Sequence, residues 1–279
     1  MKIQVLVENT SFDEFEGEHG LCFFVEYKDR KYLIDSGASG LYAENAKKLG
    51  IDLSAVEKAF LSHAHYDHSG GYVEFFEANT KAKVFLQKSA KNSCCFKLGK
   101  TKKYIGMPEG IQEKYKERFA YVDGYLDMGD GIYILPHTTP NLEERGKRAH
   151  MACVVDGKTI TDNFSHEQTL VFREEDGLVL FNSCSHAGVE NILEEVKEVF
   201  PKDRIKAFFG GFHMMGTMGP TTCNFEKQEV VEIAEQIKKS SDATFYSGHC
   251  TGQIAFAWLQ EVLGDRIVEM HAGMQVEIV

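Results

Sequence analysis

Four apolar segments of this chain end in small residues that are followed by a histidine, and they read FLSHAHYDHSGG, FNSCSHAG, FFGGFH and FYSGHCTG. Glycine and serine at a strand end let the backbone turn sharply and approach a bound group closely. In open α/β sheets, the carboxyl ends of the strands are where binding sites assemble. The recurrence therefore predicts one cluster, whose candidate histidines are His63, His65, His68, His186, His213 and His249.

The order of apolar patterns predicts a layered α/β fold. The chain opens with the β-rich segments IQVLVEN, LCFFVEY and KYLID, and from residue 170 apolar strands alternate with amphipathic helices such as GVENILEEVKEVFP. Strands joined by helices are typical of layered α/β architectures. Residues from about 88 to 150 are less regular, with two strands expected around a Gly-Asp turn, and are predicted to form an insertion or lid.

Composition narrows the class of protein. The chain has 279 residues, 43% hydrophobic and 26% charged, which is ordinary for a globular protein. No apolar run is long enough for a spanning helix or a signal peptide, and seven scattered cysteines do not resemble a disulfide framework. The net charge of -11 disfavours a general nucleic-acid binder. We therefore expect a cytoplasmic protein that acts on a small molecule, without nucleic acid or membrane as a partner.

The densest motif is an H-x-H-x-D-H pattern that runs from His63 through His65 and Asp67 to His68. It supplies four potential metal donors within six residues. Imidazole and carboxylate suit zinc, iron or manganese, whereas a structural zinc site is commonly built from several cysteines. The motif predicts a metal site of a catalytic type.

HAHYDH after a strand, preceded by LIDSG at Asp35, resembles the signature of the metallo-β-lactamase superfamily. The resemblance implies a metallo-β-lactamase-like αββα sandwich that spans residues 1–279 as a single domain, with an inserted lid segment at about 88–150. It also implies two divalent transition-metal ions, with zinc as the leading candidate and iron or manganese as alternatives. By position, the resemblance assigns His63 and His65 to one ion and Asp67 and His68 to the other, with later ligands from His186 and His249.

One feature departs from the family pattern, because no clear Gly-Asp at a strand end supplies the usual bridging carboxylate. Asp162 and Cys184 are alternative substitutes, and a mononuclear site is a further possibility. Asp35 is predicted to orient the ligands through hydrogen bonds, with Cys184 beside them. His213 is either a metal ligand or a catalytic group. Surface or packing roles are expected for the remaining histidines, which are His19, His137, His150, His166 and His271.

The motifs CSHAG, GGFH and GHCTG resemble the branch named for dihydropterin ribofuranosyl-aminobenzene phosphate synthase. The predicted function is a metal-dependent hydrolase that uses a metal-bound hydroxide, with Asp67 orienting the nucleophile and His213 stabilising the developing anion or protonating the leaving group. The alternatives are a pterin-linked phosphate synthase that releases pyrophosphate and a catalytically silent metal-binding sensor.

Substrate charge is suggested by one basic stretch in an acidic chain. Residues 81–103 contain eight lysines and no acidic residue. Four of them are predicted to bind an anionic substrate from a basic lid: Lys97, Lys100, Lys102 and Lys103. A solvated surface loop is the alternative. Arg145, Lys147 and Arg148 form a second, smaller basic group.

Overall fold

The computed structural model describes all 279 residues, which divide into two compact units. The first unit comprises residues 1–123, 150–161 and 270–279, and the second comprises residues 124–149 and 162–269. Eight helices are present: α1 Leu41–Lys48, α2 Tyr66–Ser69, α3 Tyr72–Ala78, α4 Ile111–Lys114, α5 Glu143–Arg148, α6 Val189–Val199, α7 Lys227–Ser240 and α8 Gln253–Leu263. None of them is both long and apolar enough to cross a membrane.

The first unit contains a seven-stranded sheet in the order β20-β1-β2-β3-β4-β5-β8. Its strands are β1 Lys2–Val7, β2 Cys22–Tyr27, β3 Arg30–Ile34, β4 Lys58–Phe60, β5 Lys83–Gln87, β8 Phe119–Val122 and β20 Gln275–Glu277. β2 and β3 form a hairpin whose turn residues, Lys28 and Asp29, have φ of 49° and 61°, as a primed two-residue turn requires. β3, β4, β5 and β8 are parallel, with α1 and α3 as crossover helices. The carboxyl ends of β3 and β4 therefore lie at one edge.

The core of the first unit is aromatic where α3 packs. Tyr72, Phe75 and Phe76 of α3 are buried, and Tyr72 stacks on Phe76 at a centroid distance of 5.9 Å. Phe76 also meets Phe119 of β8 edge to face at 5.4 Å. Burial of each such ring contributes about 1.5–3 kcal/mol. This packing holds the helix that follows the histidine-rich loop.

A second, four-stranded antiparallel sheet lies in the first unit, in the order β12-β11-β6-β7. Its strands are β6 Ser93–Leu98, β7 Thr101–Tyr104, β11 Met151–Val155 and β12 Lys158–Thr161. The β6–β7 pair carries the four lysines singled out in the sequence, and we call it the lysine hairpin (residues 93–104). The segment from 88 to 150 is thus shared between the two units, and its role as an inserted lid stays a prediction.

The second unit contains a seven-stranded sheet in the order β19-β18-β15-β14-β13-β10-β9. Its strands are β9 Leu126–Asp127, β10 Ile132–Pro136, β13 Gln168–Glu174, β14 Gly177–Phe181, β15 Ile205–Phe209, β18 Thr244–Ser247 and β19 Ile267–Glu269, and a separate pair is formed by β16 Met215–Gly216 and β17 Gly219–Cys223. β14, β15, β18 and β19 are parallel and are joined through α6, α7 and α8. The carboxyl ends of β14, β15 and β18 consequently share one edge.

Most of the predicted elements are confirmed, and the differences lie in the less regular middle of the chain. α6 buries Val189, Ile192, Leu193 and Val196, the face expected from its spacing. The stretch expected to form two strands contains three, β8, β9 and β10, because Gly124 interrupts it at a φ of 87° before the hairpin at Gly129 and Asp130.

Candidate metal centre

The histidine-rich loop follows β4 and is held by backbone bonds within the first unit. The Tyr66 N–H donates to the Ile105 carbonyl at 2.9 Å, and His65 forms a β-bridge with Gly106. Both partners come directly after the lysine hairpin. The path of residues 61–69 is therefore fixed by the segment that follows β7.

Three imidazoles of this loop are packed together and buried. The ring of His63 lies 4.6 Å from that of His65 and 4.2 Å from that of His68, between centroids. All three side chains are at most 4% exposed. Several imidazoles gathered at this spacing in a buried loop are arranged as a shared cation requires, since an apolar core gains nothing from such polar rings.

Asp35, at the end of β3, anchors the loop through its carboxylate. Its Oδ1 accepts the Ser62 N–H at 2.7 Å, and its Oδ2 accepts the Ser62 hydroxyl at 2.7 Å and His68 Nδ1 at 2.8 Å. Its φ of 59° is left-handed, which aspartate tolerates better than most residues. A single buried carboxylate thus positions both the start of the loop and its last histidine.

The same hydrogen bonds assign the tautomers of two rings. The Ser62 hydroxyl also lies 2.8 Å from His63 Nδ1. Because a carboxylate only accepts and a hydroxyl has one proton, Ser62 donates to Asp35 and accepts from Nδ1–H of His63. His68 likewise donates its Nδ1–H to Asp35. Both rings therefore carry their lone pair on Nε2, as metal-ligating histidines held by outer partners do.

Asp67 lies beside two histidines. Its Oδ2 is 3.7 Å from His68 Nε2 and 3.3 Å from His19 Nε2. The His19 side chain is 44% exposed, so it lies at an accessible face of the loop. His19 was expected to have only a surface or packing role, and sequence reasoning missed its contact with Asp67 because no motif or spacing links the two.

In the second unit, the turn after β14 carries His186. Its backbone N–H and that of Ala187 donate to the two oxygens of Glu167 at 3.0 and 3.1 Å. The imidazole stacks on Phe164 at 4.5 Å with an interplanar angle of 9°, and its centroid is 4.1 Å from that of His213. His186 is thus held at its backbone by a carboxylate and at its ring by an aromatic face.

A buried ionic network lies behind that turn. Nε2 of His137 is 2.9 Å from Glu167, and Nδ1 is 2.8 Å from Glu195. Burial opposes a charged imidazole, but the hydrogen bonds to both carboxylates raise the pKa of His137 from 6.5 to about 9. His137 was predicted to have a surface or packing role. In the structure it is a buried cation that links Glu167, which holds the His186 backbone, to Glu195 of α6.

The turns after β14, β15 and β18 bring His213 next to two cysteines. The Sγ atoms of Cys184 and Cys250 and a ring nitrogen of His213 all lie within 4.8 Å of one another. Burial opposes a thiolate at Cys250, yet hydrogen bonds with Cys184 and His213 and the charge of His249 lower the pKa of Cys250 well below its ordinary value. Sequence reasoning had singled out every member of this group except Cys250.

A cavity of about 560 Å³ opens in the second unit beside His186 and His213. Its aromatic walls are Phe164 and Phe225. Its remaining lining residues are Glu144, Arg145, Arg148, Ala149, Glu190, Asn224, Glu229, Glu232, Ile233 and Gln236. Its size suits a drug-sized small molecule.

The two arginines of this cavity are both engaged. Arg145 forms an ion pair with Glu190. Arg148 pairs with Glu229 at 2.8 Å and lies over the Phe225 ring at 4.4 Å. Carboxylates outnumber guanidinium groups in the lining, so the cavity as a whole does not select for anions.

The predicted substrate lysines all lie in the first unit. Lys97, Lys100, Lys102 and Lys103 are exposed on the lysine hairpin. Lys102 donates to the Thr159 hydroxyl at 3.0 Å. Asp162, the alternative bridging carboxylate, lies in the second unit, where it accepts the Phe164 N–H at 2.8 Å and lies 3.1 Å from His166 Nε2.

Comparison with known proteins decides the family. A family model described as the metallo-β-lactamase superfamily matches residues 16–160, just over half of the chain. A crystal structure of a metal-dependent hydrolase of the β-lactamase superfamily is 30% identical, with a TM-score of 0.83, over 100% of this chain and 99% of the other. The chain belongs to the metallo-β-lactamase superfamily.

The predicted fold class is confirmed by the same likeness, since the chain has the metallo-β-lactamase fold along its whole length. The superfamily is largely one of metal-dependent hydrolases, and its members typically bind metal ions. The predicted ligands are divided between the units: His63, His65, Asp67 and His68 belong to the first, and His186 and His249 to the second. Their roles as ligands stay predictions.

The resemblance to the synthase-named branch is also confirmed as a similarity. The 7,8-dihydropterin-6-methyl-4-(β-D-ribofuranosyl)-aminobenzene-5'-phosphate synthase of Methanocaldococcus jannaschii is 24% identical over 98% of this chain and 95% of its own length. An uncharacterized protein of the same organism is 26% identical over 99% of this chain and 100% of its own. Both relatives match nearly end to end.

Proposed function

We propose that this superfamily member is a hydrolase that acts on a phosphorylated or otherwise anionic small molecule. It uses two divalent metal ions, with zinc as the leading candidate. The observation that carries the proposal is the hydrogen-bond network of Asp35. It fixes His63 and His68 as Nδ1–H tautomers in a buried loop, which is the preparation that metal ligands need. No purely structural role requires both rings to carry the lone pair on the same nitrogen.

Divalent ions held by these residues would supply a hydroxide nucleophile near neutral pH and would polarise the bond under attack. The chain's own groups then complete the chemistry. Asp67, which lies 3.3 Å from His19 Nε2, is positioned to orient the nucleophile as an acceptor. His213, which lines the cavity, is proposed to stabilise the developing anion or to protonate the leaving group.

The anionic character of the substrate is supported by the lysine hairpin rather than by the cavity. The four lysines Lys97, Lys100, Lys102 and Lys103 are exposed, and the residues that follow them, Ile105 and Gly106, bind the histidine-rich loop. Their field therefore acts beside the loop that carries His63. The paired arginines of the cavity contribute less, because each faces a carboxylate.

A second candidate function is a pterin-linked phosphate synthase that releases pyrophosphate. Two observations favour it: the similarity to the protein of that name, and the half-buried Phe225 ring in the lining of the cavity. Faces of aromatic rings suit a planar heterocycle. Thermal unfolding of the metal-loaded protein with pterins and with phosphorylated metabolites discriminates the two, because a ligand that binds only the folded state raises the midpoint.

The proposed function is tested by His63→Ala and Asp67→Ala, with His271→Ala as a control in the same unit. We expect both loop variants to lose metal content and hydrolysis of generic phosphodiesters, thioesters or lactones, because each removes one predicted ligand. The control, whose ring packs against Phe12 at 5.4 Å and whose Nδ1 lies 3.0 Å from the Ala272 carbonyl, should keep both. Unchanged metal content in both loop variants would contradict the proposal.

The alternative from another class is a catalytically silent sensor. Stoichiometric metal with tight binding of one ligand, but no turnover of any substrate class, would favour it. The hydrolase proposal includes a cytoplasmic location and a small-molecule partner, without nucleic acid or membrane. All seven cysteines are free, which is compatible with a cytoplasmic location. The net charge of -11 is compatible with a small-molecule partner rather than nucleic acid.

A further inference from the structure

The turn that presents His186 is supported twice by one short segment of the second unit, residues 164–167. The fully buried carboxylate of Glu167 accepts the backbone N–H groups of His186 and Ala187, one on each oxygen, at 3.0 and 3.1 Å. The Phe164 ring lies parallel to the imidazole, with an interplanar angle of 9° and centroids 4.5 Å apart. The same segment therefore sets both the backbone of His186 and the plane of its ring.

Both sides of this contact are held in strained backbone conformations. Ser185 has a φ of 51° and Phe164 a φ of 55°, in the left-handed region that such residues seldom adopt. The Ser185 N–H donates to Oδ1 of Asn182 at 2.8 Å, which helps to hold the turn in this form. Strained residues persist only where their surroundings over-determine them, and they cluster at functional sites. The strain therefore points to the side chain that the turn presents.

Glu167 is itself fixed from behind by charged partners. His137 lies 2.9 Å from Glu167 and 2.8 Å from Glu195 of α6. Glu195 also accepts the backbone N–H groups of Thr138 and Thr139 at 2.7 and 2.8 Å. A buried carboxylate is costly unless it is paired and hydrogen-bonded, and His137 supplies the compensating charge. Glu167 is thus held in place rather than free to follow the turn.

We propose that Glu167 is a positioning residue of the metal centre and that, together with the Phe164 ring, it holds the His186 imidazole in its ligating orientation. The inference rests on the proposed function, since it takes His186 as a metal ligand. It differs from the role of Asp35, whose hydrogen bonds set the proton on a ligand ring. Glu167 bonds to the backbone of its ligand, so it controls where the ring lies.

The test is Glu167→Gln in the full-length protein. Glutamine keeps one acceptor oxygen and places an N–H₂ group where the other oxygen accepted, so one of the two backbone N–H groups loses its partner. We expect zinc affinity, measured by competition against a chromophoric chelator, to fall by about 10-fold or more. The kcat for a generic phosphodiester should fall while KM changes little.

Glu195→Gln is the matched control, because it changes the other carboxylate that contacts His137. It should lower stability toward denaturant while keeping most of the zinc affinity. Phe164→Leu is a second variant, which leaves the carboxylate in place and removes only the aromatic face against the imidazole. It should weaken zinc binding by less than Glu167→Gln does, and it tests the proposal even if Glu167→Gln fails to fold.

Combining Glu167→Gln with His186→Ala shows whether the carboxylate acts through the histidine. We expect the double variant to bind zinc no more weakly than His186→Ala alone. The inference is overturned if the two losses add in full, or if Glu167→Gln binds zinc as tightly as Glu195→Gln. A wild type that binds no zinc removes the proposed function and this inference together. Zinc binding that depends on His63 but not on Glu167 removes this inference alone.

Discussion

Replacing Asp35 with asparagine tests how the metal loop is prepared. Asparagine tolerates the left-handed backbone at this position and can still accept the Ser62 N–H through its remaining oxygen. Its amide group, however, donates where Oδ2 accepted from Ser62 Oγ and His68 Nδ1. The His68 ring then avoids a clash of donors only by moving its proton to Nε2, the nitrogen that a metal needs.

The expected loss of metal affinity in Asp35→Asn follows from the hydrogen bonds of the carboxylate. Loss of an outer partner of a metal-ligating histidine typically costs about 10–100-fold in metal affinity, or about 1.4–2.7 kcal/mol. Because two of the three hydrogen bonds to the carboxylate are lost, we expect the reduction in zinc affinity to lie toward the upper end of that range. The measurement is competition for Zn²⁺ against a chromophoric chelator.

A matched control is Asp29→Asn. Asp29 has nearly the same left-handed φ, 61°, but it is exposed in the turn between β2 and β3. The same chemical change there should leave zinc affinity unaltered. If Asp35→Asn bound zinc as tightly as Asp29→Asn, the tautomer reasoning would be refuted, because the carboxylate would then not control the ligand nitrogen.

Three further predictions concern substrate charge, pH and the unused cysteines. Neutralising all four lysines of the lysine hairpin should raise KM for an anionic substrate and reduce its salt dependence, with little change for a neutral ester; equal shifts for both substrates would identify a solvated surface. The raised pKa of His137 stabilises the fold below pH 6.5, and that stabilisation, on the order of 3 kcal/mol, is lost as pH rises through about 9. Denaturant titrations should therefore show the stability gap between wild type and His137→Gln narrowing from pH 6.5 to above 9, and a constant gap would disprove the ionic network. Cys94→Ser/Cys95→Ser should keep activity and metal content, which metal analysis and the hydrolase assay would check; loss of metal would show that β6 contributes to a site.

The local sequence was sufficient for the fold and for the core of the candidate centre. Strand and helix patterns are periodic, so β1 to β4 and α6 to α8 could be predicted from residues that are close along the chain. The H-x-H-x-D-H motif also places its donors within six residues, and a loop that short keeps them together in any compact fold. The preceding Asp35 was recognisable from the LIDSG motif that resembles the family signature, and the structure places it directly after β3.

Contacts between distant segments were decided only by the tertiary structure. His19 meets Asp67 across 48 positions and His137 meets Glu167 across 30, and neither pair has a spacing or motif that could reveal it. Cys250 is the same case, since a single buried cysteine is usually inert packing until the fold sets a second thiol and an imidazole beside it. The sequence by itself determined which side chains stand at the strand ends, because periodicity is local. Which of them meet, and with which protonation, was decided by chain packing, because hydrogen bonds and ion pairs depend on distances in space.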